Sequence, residues 1–138
     1  LMKYLSMAVV IKQGKVLIQE RYRSNQGMVF EFPGGEVETN ESGTDAAIRE
    51  LYEETNMSGL SHVATYSDIN EYGGRIYYVV LHASAVDEPK VQGSDRQQVF
   101  HWLSFAKLPI DEFYKADVSF INKHLGKHLQ REVGEMAW

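Results

Sequence analysis

The part of the chain that decides its fold is residues 31–57, which read EFPGGEVETNESGTDAAIRELYEETNM. The stretch begins at the end of a short strand, which stops at Pro33-Gly34-Gly35 because proline and glycine break regular structure. A helix is predicted at about residues 43–55, with Ser42 or Thr44 as its N-cap. A strand, a tight glycine turn and a capped helix therefore follow one another within one short segment.

The predicted helix has two unlike faces when its residues are placed roughly 100° apart. One face is predicted to pack on a sheet, and it carries Ile48, Leu51, Tyr52 and Thr55. The opposite side carries Glu50, Glu53 and Glu54 within one turn of each other. Like charges at this spacing cost an isolated helix about 0.2–0.5 kcal/mol per pair. The cluster is therefore mildly unfavourable unless a cation lies among the carboxylates.

The carboxylate cluster has two interpretations. An acidic helix face is more often simply solvated, but carboxylates together with phosphates and waters are also the oxygen ligands that Mg²⁺ prefers. The upstream turn favours the metal, because a backbone carbonyl at Gly34 or Gly35 could coordinate a cation where no side chain intervenes. Glu41 and Arg49 bracket the start of the helix, and we expect them to pair, since a planar guanidinium suits a bidentate carboxylate contact.

The spacing of these residues resembles the Nudix box, G-x5-E-x7-R-E-U-x-E-E-x-G-U, in which U is a bulky aliphatic residue. Eight of its nine defined positions are matched, from Gly35 through Glu41 and Arg49 to Met57. The approach through residues 31–35 also resembles that of the family. The one departure is Asn56 in place of glycine, and we expect little harm to the site because asparagine tolerates the left-handed conformation.

The resemblance implies both a fold and a reaction. The fold is α/β, the Nudix α/β/α sandwich with a mixed β-sheet between helices, as a single domain over residues 1–138. The reaction is Mg²⁺-dependent cleavage of the pyrophosphate linkage in a nucleoside diphosphate linked to a group X, with Mn²⁺ as a substitute cation.

The resemblance also implies roles for the residues of the box. By matched position, the metal ligands are Glu50, Glu53, Glu54 and a backbone carbonyl at Gly34 or Gly35. Glu53 or Glu50 is also implied to accept the proton of the attacking water. Glu41 and Arg49 are implied to be structural.

Candidates for substrate binding lie outside the box. Arg21 and Arg23 end the second predicted strand and could reach a phosphate or a base, although a solvated strand end explains them equally well. Many Nudix relatives use a further acidic residue from the loop before a late strand that contains tryptophan. Asp95 is the only carboxylate between Lys90 and Trp102, so it is the candidate there, against the commoner interpretation of an ordinary loop residue.

The substrate is less well determined than the reaction. A (deoxy)nucleoside triphosphate is predicted first, and the alternatives are ADP-ribose or a nucleoside diphosphate sugar, or a nucleotide-binding domain without turnover. A MutT-like triphosphatase usually carries an asparagine that reads the base, but the comparable stretch here is Ala116-Asp117-Val118, which puts oxidised-guanine recognition in doubt. The intact carboxylates at 50, 53 and 54 argue against a pure binder, which has no need to hold repelling charges together.

Hydrophobic patterning outside this region predicts strands interleaved with a second helix. The strands are at 4–11, 15–20, 28–32, 62–70, 76–85 and 97–103, and the helix is at 111–129. His124 and His128 stand one helical turn apart on that helix. Since no acidic partner completes a zinc motif, a solvated helix face is the expectation for both.

Composition excludes several classes of protein. The chain has 138 residues with a net charge of −5, which argues against binding nucleic acid polymers. The charge does not exclude one small phosphorylated ligand if metal ions offset it, and the resemblance implies that this ligand is a small nucleotide. It has no cysteine, so disulfides and thiolate metal sites are excluded. No apolar run approaches the ~18 residues that a membrane helix needs, so no membrane partner and a cytoplasmic location are expected. Relatives are often dimers, and the sequence leaves a homodimer open.

Overall fold

The computed structural model describes residues 2–70, 72–91 and 98–130. The strands in these ranges are β1 (Leu5–Lys12), β2 (Lys15–Arg23), β3 (Gly27–Glu31), β4 (Gly34–Glu36), β5 (Ser61–Ile69), β6 (Arg75–His82) and β7 (Gln98–Leu103). The helices are α1 (Gly43–Thr55) and α2 (Lys115–Phe120), with short 3-10 turns at Phe105–Lys107 and Ile110–Glu112. Helix α2 runs on through a π-helical turn, Ile121–Leu125, and stays helical over 126–130.

The strands form one mixed sheet in the order β3-β2-β1-β6-β5, with β4 paired to β1 and β7 paired to β2. The pair β1–β6 is parallel and the other pairs are antiparallel. Strand β1 pairs with β2 only at Ile11↔Val16 and Lys12↔Lys15, and its other end, Leu5 to Met7, pairs with β4. The strands β1 and β2 therefore separate toward one end of the sheet.

A hydrophobic core lies on each face of the sheet. The core on the α2 side contains Val9, Ile18, Tyr78, Phe120 and Leu125, and the core on the α1 side contains Val10, Leu17, Leu51 and Val79. Neighbouring residues of β1 thus alternate between the two cores, as the period of a strand requires. The predicted α/β sandwich with a mixed sheet between helices is confirmed.

Helix α1 begins and ends where the sequence predicts. The Ser42 side chain is the N-cap, and its hydroxyl oxygen accepts a hydrogen bond from the Asp45 backbone N–H at 3.0 Å. Asn56 ends the helix with φ 63°, in the left-handed conformation that the family's glycine would adopt freely. The predicted sheet-facing stripe is partly wrong, since Ile48 and Tyr52 are exposed. The buried residues of the helix are Gly43, Ala46, Ala47, Leu51, Glu54 and Thr55.

Substitutions at Asn56 should report on this helix end. We expect Asn56→Gly to leave activity unchanged and to shift the free energy of unfolding by less than about 1 kcal/mol, because both residues tolerate a positive φ. Asn56→Ala should destabilise by about 1 kcal/mol or more, since a Cβ is strained in that conformation. Urea denaturation of the three proteins checks this, and a large gain in turnover for Asn56→Gly would show that Asn56 distorts the helix end.

The second helix differs from its prediction at the start and on one face. Phe113 and Tyr114 have extended backbone, so α2 begins at Lys115 rather than at residue 111. The expected solvated face is wrong for its histidines. His128 is buried with its Nε2 2.8 Å from the Tyr66 hydroxyl, and the His124 ring stacks on Tyr66 with 4.0 Å between centroids.

Among the helices of the described residues, none has both the length and the apolar character that crossing a membrane requires.

Candidate active site

A cavity of about 1020 Å³ opens where β1 and β2 separate. Its walls come from β1, β2, the β3–β4 turn, the β5–β6 hairpin and the start of α2. The polar residues on these walls include Gln19, Arg21, Arg23, Glu31, Asp68, Asn70 and Asp117. Gly34 and Gly35 reach the same space, so the glycine turn singled out by the sequence faces this cavity, which we call the main cavity.

Two carboxylates of α1 meet the glycine turn at this cavity. The Glu54 carboxylate is buried and accepts a hydrogen bond from the Gly34 backbone N–H at 3.1 Å. The Glu50 carboxylate lies against Gly35, where an added Cβ would come within 2.5 Å of Glu50 Cδ. An added Cβ at Gly34 would overlap the Ser6 carbonyl. The backbone therefore leaves no room for a side chain at Gly34, whereas at Gly35 the space is occupied by the Glu50 carboxylate, so the turn and the two carboxylates are packed together.

The two carboxylates repel each other. Burial, together with the neighbouring Glu50 charge, raises the pKa of Glu54 to about 8, and the charge of Arg21 opposes this shift. A cation beside the pair would relieve the repulsion and allow both groups to ionise. An oxygen-only donor set that includes a buried carboxylate with a raised pKa is thus suited to a divalent cation.

Arg49 holds the loop before α1 to the helix. Its guanidinium donates to both Glu41 carboxylate oxygens, from Nε at 2.8 Å and Nη2 at 3.1 Å, and to the Glu36 carbonyl at 3.0 Å. The Glu41 contact raises the pKa of Arg49, and the hydrogen bond from Arg49 lowers the pKa of Glu41. The pairing of Glu41 with Arg49 predicted from the sequence is present.

Glu53 stands apart from the other two carboxylates. Its side chain is 54% exposed and lies 3.3 Å from Arg49 Nη1, which also contacts Glu50 at 3.1 Å. Within 2–70, 72–91 and 98–130, no three acidic or histidine side chains are gathered closely enough to hold a metal ion. The structure therefore brings together Glu50, Glu54 and Gly35 of the predicted ligand set, and connects Glu53 to them through Arg49.

Arg21 and Arg23 line the cavity and bind a residue that the sequence analysis missed. Glu31, buried at the end of β3, accepts hydrogen bonds from Arg21 Nε, from Arg23 Nη2 at 3.1 Å and from Gln19 Nε2 at 2.9 Å. A solvated strand end is therefore the wrong interpretation of the two arginines. The signal for Glu31 was a lone carboxylate between Phe30 and Phe32, in a strand that is otherwise apolar there.

Asp117 adds a third buried acid at the far wall of the cavity. Its Oδ1 accepts a hydrogen bond from the Tyr78 hydroxyl at 2.7 Å. Burial raises the pKa of Asp117 to about 7, although the Tyr78 bond acts in the opposite direction. Of the remaining candidates, Asp95 lies outside the described residues.

Comparisons with known proteins show the family of the chain and its fold. The family model for the NUDIX domain matches residues 2–123. The chain belongs to the Nudix family. A CTP pyrophosphohydrolase from Escherichia coli (strain K12) is 38% identical over 77 residues, which are 55% of this chain and 56% of that protein. The match thus spans little more than half the length of this curated relative.

Nudix structures share the fold over most of the chain. A MutT Nudix hydrolase from Burkholderia pseudomallei superposes with a TM-score of 0.67 at 22% identity, covering 91% of this chain and 99% of that one. An Ap4A hydrolase from C. elegans superposes with a TM-score of 0.70 at 20% identity, covering 86% and 93%. The family assignment supports a hydrolase acting on phosphorus-containing acid anhydrides, and Nudix hydrolases generally use divalent metal ions.

Two buried acids at the cavity, Glu54 and Asp117, should make the free energy of unfolding of the metal-free protein depend on pH. Glu54 and Asp117 hold protons in the folded state that the unfolded chain releases at its ordinary pKa values of 4.5 and 3.8. Because the fold binds more protons, its free energy of unfolding should fall as pH rises from about 5 to about 8. Glu41, whose pKa is lowered, does not affect this slope, because its contribution to stability changes only below about pH 4.5, where it is lost as the pH falls. Urea denaturation in EDTA across this range checks the slope.

Two variants identify the groups responsible. The decline should be shallower in Glu54→Gln and in Asp117→Asn, each of which removes one of the titrating carboxyls. A wild type whose stability is flat or rises between pH 5 and 8 would contradict the assignment.

Proposed function

We propose that this chain is a Mg²⁺-dependent pyrophosphohydrolase that converts a nucleoside triphosphate and water into a nucleoside monophosphate and pyrophosphate. The observation that carries the proposal is the contact of Glu50 and Glu54 with the Gly34–Gly35 turn at the main cavity. CTP is the first substrate to test, because the E. coli relative is named for it.

The metal would be held by Glu50, Glu54, the Gly35 carbonyl and Glu53. The first three already lie together, and Glu53, whose side chain is 54% exposed, would join them by turning from its contact with Arg49. When bound, a divalent cation would neutralise phosphate charge and make the phosphorus more susceptible to attack by water. Mn²⁺, which accepts the same oxygen ligands, is expected to substitute.

The chain's own residues would then do three things. Glu53 or Glu50 accepts the proton of the attacking water, since both lie on the turn of α1 from which Glu50 contacts Gly35 at the cavity. Arg49 holds these carboxylates in place through its contacts with Glu41 and the β4 carbonyl. Arg21 and Arg23 provide positive charge opposite the phosphates.

The position of Asp117 favours a substrate whose nucleobase carries an exocyclic amine. Asp117 and the aromatic Phe113 both line the cavity, and an acidic side chain accepts hydrogen bonds from the N4 amine of cytosine. We therefore place the base at this wall and the phosphates toward α1. Asp95 stays a prediction as an extra ligand or base, as do the cytoplasmic location and the homodimer.

A substrate panel tests the proposal. The panel holds CTP, dCTP, the other nucleoside triphosphates, ADP-ribose, nucleoside diphosphate sugars and dinucleoside polyphosphates, with products separated by anion-exchange chromatography. We expect CMP and pyrophosphate from CTP, and kcat/KM for CTP at least tenfold lower in Asp117→Asn, with smaller changes for the other triphosphates. Preferred cleavage of ADP-ribose would favour the sugar-nucleotide alternative, and tight nucleotide binding without any product would favour the non-catalytic one.

A further inference from the structure

The last residue of β3, Glu31, is a buried carboxylate with an unusual set of partners. Its side chain is 8% exposed, and a buried carboxylate is costly unless hydrogen bonds and opposite charge compensate it. Those bonds come from Gln19, Arg21 and Arg23, which share one face of β2 because strand side chains alternate. Glu31 pairs with Gln19 in the β2–β3 register, so its carboxylate extends along the row of donors.

Glu31 accepts hydrogen bonds from only some of the N–H donors of the Arg21 and Arg23 guanidiniums. The Arg21 and Arg23 side chains are 29% and 36% exposed, and both line the main cavity. Each guanidinium has five N–H donors, of which Glu31 takes only the Nε of Arg21 and the Nη2 of Arg23. Arg23 Nε is buried and has no hydrogen-bond partner among the described residues. Two positive charges against one negative leave the cluster with a net charge of +1 at the cavity wall.

The cluster faces the same space as the glycine turn. Arg21, Arg23 and Glu31 share the cavity with Gly34 and Gly35, which contact the two α1 carboxylates. A polyphosphate lying along the glycine turn would therefore meet the two arginines. Since long arginine side chains lose conformational freedom when they bind, a buried group that fixes them beforehand improves binding.

We propose that Glu31 is a positioning residue for the phosphates: it fixes Arg21 and Arg23 so that their remaining N–H donors face a polyphosphate in the cavity. The proposal rests on the proposed function, because it assigns the polyphosphate part of that substrate to this wall. For the affinity of a phosphate after Glu31 is neutralised, the proposal predicts the opposite change to the one expected from net charge alone. Removing a negative charge near an anion should tighten binding by Coulomb's law, whereas loss of positioning should weaken it.

The test is calorimetric titration of inorganic tripolyphosphate into the protein in EDTA, so that neither metal nor turnover is needed. We expect the Kd of Glu31→Gln to be at least tenfold weaker than that of the wild type. We expect Glu31→Asp, which keeps the charge but shortens the reach, to lie between them. The matched control is Glu20→Gln, whose side chain is on the other face of β2 and contacts His101 at 2.9 Å; its Kd should change less than twofold.

Other results would contradict either the positioning role of Glu31 or the proposed function. Unchanged or tighter binding in Glu31→Gln overturns the proposal, as does a wild type that binds no tripolyphosphate. If Glu31→Gln fails to fold, Glu31→Asp decides, since a Kd equal to that of the wild type would show that Glu31 only stabilises the strands. Parallel kinetics should show the effect in KM with kcat within about threefold. Loss of tripolyphosphate binding in Glu31→Gln, with no nucleotide hydrolysed by the wild type, would overturn the proposed function alone.

Discussion

Replacing Glu54 by glutamine is expected to lower kcat by about a thousandfold, equivalent to roughly 4 kcal/mol of transition-state stabilisation. Glutamine has the shape of the protonated acid, so it can still accept the hydrogen bond from Gly34 at this buried position. It has no ionisable carboxylate, however, and so it cannot supply the charged oxygen ligand that the proposed metal site needs. The change should therefore separate catalysis from folding.

Steady-state hydrolysis of CTP in Mg²⁺, beside urea denaturation of the same samples, measures both properties. The stability of the metal-free variant should equal or exceed that of the wild type above pH 7, because a repelling carboxylate has been removed. Glu112→Gln is the matched control, an exposed carboxylate in a 3-10 turn away from the cavity lining. Near-normal turnover in a folded Glu54→Gln would remove Glu54 from the catalytic site.

Replacing Gly35 by alanine is expected to lower kcat/KM at least a hundredfold with little loss of stability. The added methyl group would come within 2.5 Å of the Glu50 carboxylate, which is the end of a flexible side chain and can move away. The strain is thus small, but the displaced carboxylate no longer meets the Gly34–Gly35 turn. A displacement of about 1 Å at a catalytic group can cost about a hundredfold in rate.

The control for this prediction is another glycine-to-alanine change. Gly126 lies in helical conformation, and a Cβ there would meet only Phe105 at an ordinary 3.7 Å. Gly126→Ala should keep full activity and stabilise the protein by about 0.5–1 kcal/mol, as alanine does inside a helix. Kinetics and urea denaturation of both variants are compared. Equal activity in Gly35→Ala and wild type would show that catalysis does not need the Glu50 carboxylate to lie against Gly35.

The sequence predicted well those features that depend on neighbouring residues. The bounds of α1, its Ser42 cap and the left-handed conformation of Asn56 follow from local propensity and from backbone sterics. The pairing of Glu41 with Arg49 follows from chemistry at a short separation in the chain. The short strand β4 was missed because the glycines that break β3 are themselves paired with β1.

Features that depend on how the helix rests on the sheet were not predictable. Small residues at 46 and 47 bring α1 close to the sheet, so the buried arc includes Glu54 and leaves Ile48 and Tyr52 exposed. Glu50 projects within that arc, between Ala46 and Glu54, and Glu53 lies about 60° from Glu50 toward solvent, which separates the three carboxylates. Likewise, His128 gains its partner from a strand distant in sequence, and Glu31 gains its partners through the register of β2 with β3, which no local pattern indicates.

We propose that Glu50 and Glu54 at the Gly34–Gly35 turn form the metal site on which hydrolysis depends. The most direct test is electron paramagnetic resonance of free Mn²⁺ during titration into the wild type and Glu54→Gln, without nucleotide. We expect saturable Mn²⁺ binding by the wild type and an affinity at least tenfold weaker in Glu54→Gln. Equal Mn²⁺ affinity in the two folded proteins would contradict this proposal.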